Sequence, residues 1–264
     1  MSLPQGLSPL PKGAIVFGPK TNCTIEICDP RYSVPGLQPS LAANSLFIAL
    51  FAIAGIIHLY LGWRWKSWFF MWCMIVGCIS GIVGYAGRIL LHYNPFSFRA
   101  FLVQTTCVIT APIYFCAAIY VTLALTIEYL SPELSRFKPK LFYWIFIPCD
   151  LLALLIQAAG GGLSTSSQGK SQMGVDLALA GLALQVTAIL AFCGFMLDFL
   201  WRYSRSQHAN KEKISARLKI FLTFLAISIL LILTRCAYRL AELHEGYRGE
   251  LVRDEPLYIL FEGV

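Results

Sequence analysis

Residues 42–62 read AANSLFIALFAIAGIIHLYLG, a run with no Asp, Glu, Lys or Arg. A helix rises about 1.5 Å per residue, so about 20 such residues cross the roughly 30 Å hydrocarbon core of a bilayer. The run is too long for a buried strand and too uniformly apolar for a helix with one face in water. It therefore reads as a transmembrane helix. The same reading repeats along the chain at about 68–91, 100–129, 141–163, 175–200 and 217–241. Pro256-Leu257-Tyr258-Ile259-Leu260-Phe261 begins another apolar run at 256–264, which ends at Val264 before it is long enough to cross. The expected fold class is all-α, a polytopic transmembrane helix bundle with six complete spans and the start of a seventh. The domains are an extracellular N-terminal tail over 1–40 and the bundle over 41–264.

Composition agrees with this organisation. Hydrophobic residues make up 57% of the 264 residues and charged residues 13%, with a mean hydropathy of +0.66. Soluble domains carry about 25% charged residues, enough to cover a surface facing water. The net charge of +7 is dispersed over short loops and forms no basic face with interleaved aromatics, which excludes a nucleic-acid partner. The first 40 residues lack an apolar segment followed by a cleavage site, so the first span is expected to act as the targeting signal.

Lysine and arginine placement orients the bundle. Arg64, Lys66, Arg136, Lys138, Lys140, Arg202, Arg205, Lys211, Lys213, Arg217 and Lys219 follow spans 1, 3 and 5, eleven in all, against four (Arg99, Lys170, Arg248, Arg253) on the other side. The rule that cytosolic loops are basic puts the N-terminus outside. Asn22-Cys23-Thr24 in the tail is an N-glycosylation sequon on Asn22, and Cys23 and Cys28 either pair in an oxidising exterior or stay as two free thiols. Trp63, Trp65, Trp68, Trp144 and Trp201 fall at cytosolic span ends, the depth at which indole rings anchor.

Polar groups inside the spans are costly and mark function by default. Asp150 lies about nine residues into span 4, near the midplane. Gln157 follows on the same helical face, and Pro148 stands just before. Gln185 lies at similar depth in span 5. A second group lies toward the outer leaflet: Arg88 at the end of span 2, Gln104 near the start of span 3, and Arg235, Arg239 and Glu242 on one face of span 6. Arg239 and Glu242 are spaced to pair within their helix. Arg88 and Arg235 then require another partner, with Asp150, Glu242 or a ligand anion as the options. Together these residues describe a polar cavity open toward the outer leaflet, with a structural packing network as the alternative. Asn44 and His58 on span 1 read as packing hydrogen-bonders, and Glu128 and Asp198 as ion-paired ends of helices.

Glycines mark close helix contacts. Gly77, Gly81, Gly84 and Gly87 form a stripe on span 2, and Gly160-Gly161-Gly162 is expected to break span 4 and start a tight turn. The chain lacks HExxH, GxSxG and Walker A patterns, paired span histidines and a CxxC pair. No enzyme activity, cofactor or metal is expected.

Several segments together resemble the fungal RTA-like family, also called lipid-translocating exporters. They are Pro39-Ser40-Leu41-Ala42-Ala43-Asn44, Gly84-Tyr85-Ala86-Gly87-Arg88, Asp150 through Gln157-Ala158-Ala159-Gly160-Gly161-Gly162, Gly181-Leu182-Ala183-Leu184-Gln185, and Arg235-x-x-Tyr238-Arg239-x-x-Glu242 with Gly246-Tyr247. The resemblance covers about residues 38–262. It implies seven spans, an outside N-terminus, export or translocation of sphingoid long-chain bases, and resistance to toxic membrane-active compounds. Partners would be membrane lipids or amphiphilic small molecules, with the plasma membrane favoured over internal membranes. A receptor-like sensor of membrane lipid or stress is the alternative. Two departures from the family pattern stand out. Gly81 occupies a position where relatives usually carry an acidic residue. Glu255, Tyr258 and Glu262 match the start of a seventh span that is not completed.

Overall fold

The computed structural model describes residues 14–16, 18, 21–29, 32–33, 38–130, 138–166, 172–205 and 216–245. Six helices carry the chain: α1 (Leu41–Trp65), α2 (Trp68–Tyr93), α3 (Phe98–Leu130), α4 (Pro139–Ser166), α5 (Gln172–Arg205) and α6 (Ala216–Glu245). Each is long and apolar enough to cross a membrane. Among the described residues there is no strand. The expected all-α membrane bundle is therefore the observed one. The stretch read as the start of a seventh span, and Gly246-Tyr247, lie outside the described residues.

Short, chemically specified turns join the first three helices. The Ser40 hydroxyl accepts the Ala43 N–H at 3.5 Å and caps α1. Lys66 closes the same helix in the left-handed region, at φ 55°, its N–H returning to the Gly62 carbonyl. Between α2 and α3, Asn94 Oδ1 accepts the Phe96 N–H at 3.2 Å and Ser97 Oγ accepts the Ala100 N–H at 3.4 Å. The Ser40 and Ser97 bonds satisfy N–H groups in the first turns of α1 and α3, and the Lys66 bond satisfies a carbonyl in the last turn of α1.

Consecutive helices pack side by side, and α6 returns to touch α3. α3 is the central element, the most buried of the six helices, and α1, the least buried, lies at the periphery. The main core lies between α3, α4, α5 and α6. Tyr120 meets Phe192 at a ring-centroid distance of 4.6 Å, with Phe142 and Phe146 around them. Large apolar side chains such as Ile56, Leu155, Phe224 and Leu230 point outward, as a lipid-facing surface requires. The tryptophans read as anchors are all exposed, and Arg205 lies over the Trp201 ring at 5.0 Å.

The glycine stripe of α2 meets two neighbouring helices. A Cβ on Gly77 would strike the Phe115 ring at 2.5 Å, and one on Gly84 the Val108 side chain at 2.8 Å, both on α3. Gly81 instead faces α1, where the Phe51 ring lies 3.3 Å from the Cβ position. The volume that an acidic side chain would need at Gly81 is thus filled by an aromatic ring.

The expectation that Gly160-Gly161-Gly162 breaks the fourth span is wrong. α4 runs unbroken through the triplet to Ser166. In the bilayer no water is available for backbone groups freed by unwinding, so the helical bonds persist despite the poor propensity of glycine. What Gly160 provides is proximity. Its Cβ position is 2.5 Å from the Ala178 nitrogen and 2.7 Å from the Gly174 oxygen, so α4 and α5 touch backbone to backbone.

The N-terminal tail is fastened to the end of the bundle where α2 meets α3. Cys23 and Cys28 form a disulfide that packs on Phe96, and His92 Nδ1 lies 2.7 Å from the Pro39 carbonyl.

Candidate functional site

Two prolines lie inside α3 and α4, each with polar groups nearby. Pro112 lies inside α3. Having no N–H, it cannot bond the carbonyl four residues back, and its ring disturbs the turn before it. The carbonyl four back is that of Val108, and it accepts Nη2 of Arg235 from α6 at 3.0 Å. The neighbouring carbonyl of Cys107 accepts the Ser80 hydroxyl from α2 at 2.9 Å. The carbonyl that Pro112 leaves free thereby ties α6 to α3, and the Ser80 bond ties α2 to the same turn. The Val108 carbonyl was not among the partners the sequence offered for Arg235. Arg239 and Glu242 pair within α6 at 3.0 Å, as their spacing predicts. Since a hydrogen bond to a charged group contributes about 1.5–3 kcal/mol, Arg235→Met is expected to lower the thermal stability of the detergent-solubilised chain. Fluorescence-detected gel filtration after heating measures this, and an unchanged transition would count against the α3–α6 tie.

Pro148 sits inside α4, and two residues on Asp150 is 1% exposed. Its Oδ2 accepts the Tyr120 hydroxyl of α3 at 2.9 Å. Its Oδ1 has no hydrogen-bond partner among the described residues. No arginine pairs with it there, which removes Asp150 as the counter-ion of Arg88 or Arg235. The Cys116 thiol adjoins Tyr120, with Cys193 and Cys236 close by, so the carboxylate is walled by apolar and sulfur-bearing groups.

About two turns along α4, Gln157 Nε2 donates to Gln185 Oε1 of α5 at 3.0 Å, both side chains being buried. Gly181 makes room for this pair, its Cβ position lying 2.8 Å from the Gln157 side chain. Gln104, 9% exposed, keeps a buried Oε1 without a partner among the described residues. Arg88 is buried on α2 and engaged with its neighbours. The residues singled out from sequence thus occupy several separate places. Asp150 faces α3, Gln157 and Gln185 join α4 to α5, Arg235 ties α6 to α3, and Arg88 and Gln104 lie where α2 crosses α3.

Of the remaining polar residues, Asn44 and Asp198 make the bonds that their positions predict. Asn44 Nδ2 donates to the Ser40 carbonyl at 2.6 Å, His58 packs edge-on against Phe70, and Asp198 pairs with Arg202 at 3.0 Å. Asn22 is exposed, and its Oδ1 accepts the Ile15 N–H at 2.7 Å. No cluster of metal-ligating side chains occurs among the described residues.

Sequence reading missed Tyr120 and Pro112. The signal for Pro112 was available: a mid-span proline frees the carbonyl four residues earlier, and an arginine elsewhere in the spans can reach it. Tyr120 carried no comparable signal, because a tyrosine in an apolar run resembles any other core aromatic.

Similarity to known proteins agrees with this architecture. The "Sphingoid long-chain base transporter RSB1" of Saccharomyces cerevisiae (strain Lalvin EC1118 / Prise de mousse) is 30% identical, over 87% of this chain and 69% of its own length. The "Protoporphyrin uptake protein 1" of Saccharomyces cerevisiae is 29% identical over 71% of this chain and 62% of its own. "Protein RTM1" from the same organism is 28% identical over 72% and 62%. No solved structure matches the chain. The family described as "RTA1 like protein" matches residues 74–264, and with six membrane-spanning helices in place the chain belongs to that family of integral, multi-pass membrane proteins.

Proposed function

We propose that the protein translocates amphiphilic lipids with a cationic headgroup, sphingoid long-chain bases among them, across the membrane. The observation that carries this reading is Asp150. A carboxylate at the middle of a membrane bundle costs several kcal/mol unless it is paired. Here one oxygen is held by Tyr120 and the other has no partner among the described residues. A primary ammonium supplies both the charge and the donors that Oδ1 lacks. The similarity to a sphingoid long-chain base transporter supports the same class of cargo. A protoporphyrin uptake protein among the relatives supports a family that handles varied amphiphiles.

In this reading Arg88, Gln104, Gln157, Gln185, Arg235, Arg239 and Glu242 flank the route. The arginines interact with the hydroxyls and phosphates of neighbouring headgroups. The N-terminus faces outward at the plasma membrane, and the outcome for the cell is tolerance of toxic membrane-active compounds.

The test is efflux of a labelled long-chain base from cells lacking their own exporter. Expression of the chain is expected to raise efflux, and no increase at confirmed surface expression would overturn the reading. Orientation is tested separately. Asn22→Gln is expected to abolish an endoglycosidase-sensitive mobility shift, and a wild-type chain without that shift would remove Asn22 as support for an outward tail.

A further inference from the structure

A groove of about 750 Å³ lies between α5 and α6, near the ends where α5 begins and α6 finishes. Asp176, Ala180 and Ala183 line it from α5, and Ala237, Leu240 and Ala241 from α6. On α5 these positions are spaced four and three apart, so they form one stripe. On α6 they lie on the side of the helix away from Arg235, Arg239 and Glu242, given about 100° of turn per residue. The groove is thus apolar along its length and separate from the polar residues described above. Its volume falls within the roughly 300–1,000 Å³ of small-molecule sites.

Asp176 is its charged residue. It stands four positions after Gln172, the first residue of α5, so it lies about 6 Å from that helix end. At this depth a carboxylate remains in the headgroup region while Ala180 and Ala183 continue toward the hydrocarbon. Asp176 is exposed, and Gln172 Nε2 donates to its Oδ1 at 3.3 Å. Small side chains on both walls leave width for a polymethylene chain, and one acid at the mouth selects the sign of the head.

We infer that the α5–α6 groove is a docking site for a single-tailed amphiphile with an ammonium head, the head at Asp176 and the tail along Ala180, Ala183, Ala237 and Ala241. Charge complementarity, and the side that the described residues leave open, argue for this occupant. The inference deepens the translocator reading and rests on it: the groove is where cargo leaves or joins the bilayer, and Asp150 is a separate site deeper in the bundle.

The experiment uses the full chain in phosphatidylcholine vesicles with a diazirine-bearing C18 long-chain base, compared with the same chain carrying an alcohol head. Photolabel is expected on 176–183 and 237–241, with the amine favoured over the alcohol. Asp176→Asn should weaken amine labelling about fivefold, the upper value for an exposed ion pair, and remove the preference. Ala183→Trp, which fills the groove with an apolar ring at a lipid-facing position, should weaken labelling on the order of tenfold by displacing the tail. Equal labelling by amine and alcohol in the wild type, or undiminished labelling in Ala183→Trp, would overturn the site. So would a disulfide between Ala183→Cys and Tyr258→Cys in the same chain, or between Ala183→Cys residues of two copies, since either puts another occupant in the groove. The two readings fail separately. Groove labelling without translocation by the wild type refutes the translocator and leaves the site standing. Full translocation by Ala183→Trp refutes the site and leaves the translocator standing.

Discussion

Asp150→Asn is expected to reduce long-chain-base efflux by about tenfold or more while leaving the bundle folded, since losing one close ion pair of about 1.4 kcal/mol or more already gives that factor. The substitution is nearly isosteric. The carboxamide oxygen can still accept the Tyr120 hydroxyl now held at 2.9 Å. What changes is the charge, and with it the capacity to hold an ammonium in a site that is 1% exposed. If Asp150 serves only to position Tyr120, asparagine should preserve efflux, and that result would remove the carboxylate from the route. Tyr120→Phe separates the two roles further. It strips the donor from Oδ2, leaving both oxygens short of partners, and is expected to cost about 1–3 kcal/mol of stability. Efflux measured below the transition temperature of Tyr120→Phe should be retained in part, because the charge remains. Asp150→Ala is a poorer probe, since it also leaves a cavity and an unpaired tyrosine hydroxyl.

The difference between what sequence and structure disclose follows from what a residue's neighbours must do. Span positions were legible because a bilayer forces every backbone bond to be internal, so length and hydropathy suffice. The six helices accordingly begin and end within a few residues of the apolar runs, apart from α5, which extends to Arg205. The pairing of Arg239 with Glu242 was legible because it is local to one helix turn. The partner of Arg235 was not, because it is a backbone carbonyl 127 residues away that is available only through the missing N–H of Pro112. The same holds for Asp150 with Tyr120 and for Gln157 with Gln185, where composition marks the polar group and only the crossing of helices names its partner. Asp176 was passed over because it lies near a helix end, where an acid is unremarkable. Its place on a groove depends on which faces α5 and α6 turn toward each other.

Within one glycine triplet, substitution to alanine is expected to give opposite results. Gly160→Ala places a methyl group 2.5 Å from the Ala178 nitrogen and 2.7 Å from the Gly174 oxygen. Both are backbone atoms, so no side chain can rotate aside, and α4 must move away from α5. The overpacking costs about 1–3 kcal/mol directly. Separation then strains the buried Gln157–Gln185 bond, which lies less than a turn along α4 from Gly160. Gly161→Ala and Gly162→Ala meet nothing within 4 Å. They add a methyl on the open side and improve helix propensity, for a gain of up to about 1 kcal/mol each. Gly181→Ala should behave as Gly160→Ala does, since its Cβ position is 2.8 Å from the Ala153 oxygen and 2.9 Å from the Gln157 nitrogen. Thermal unfolding of the four variants in detergent would rank them, with positions 160 and 181 well below wild type and 161 and 162 at or above it. Equal effects at 160 and 161 would mean that α4 and α5 do not touch through their backbones. The triplet would then act, as its composition first implies, on the flexibility of the helix end. The contrast matters for transport because the α4–α5 contact fixes one wall of the bundle around Asp150. On the proposed transport reading, the helix left to open a way toward the carboxylate is α6, which the Arg235–Val108 bond holds to α3 and which forms the far side of the groove.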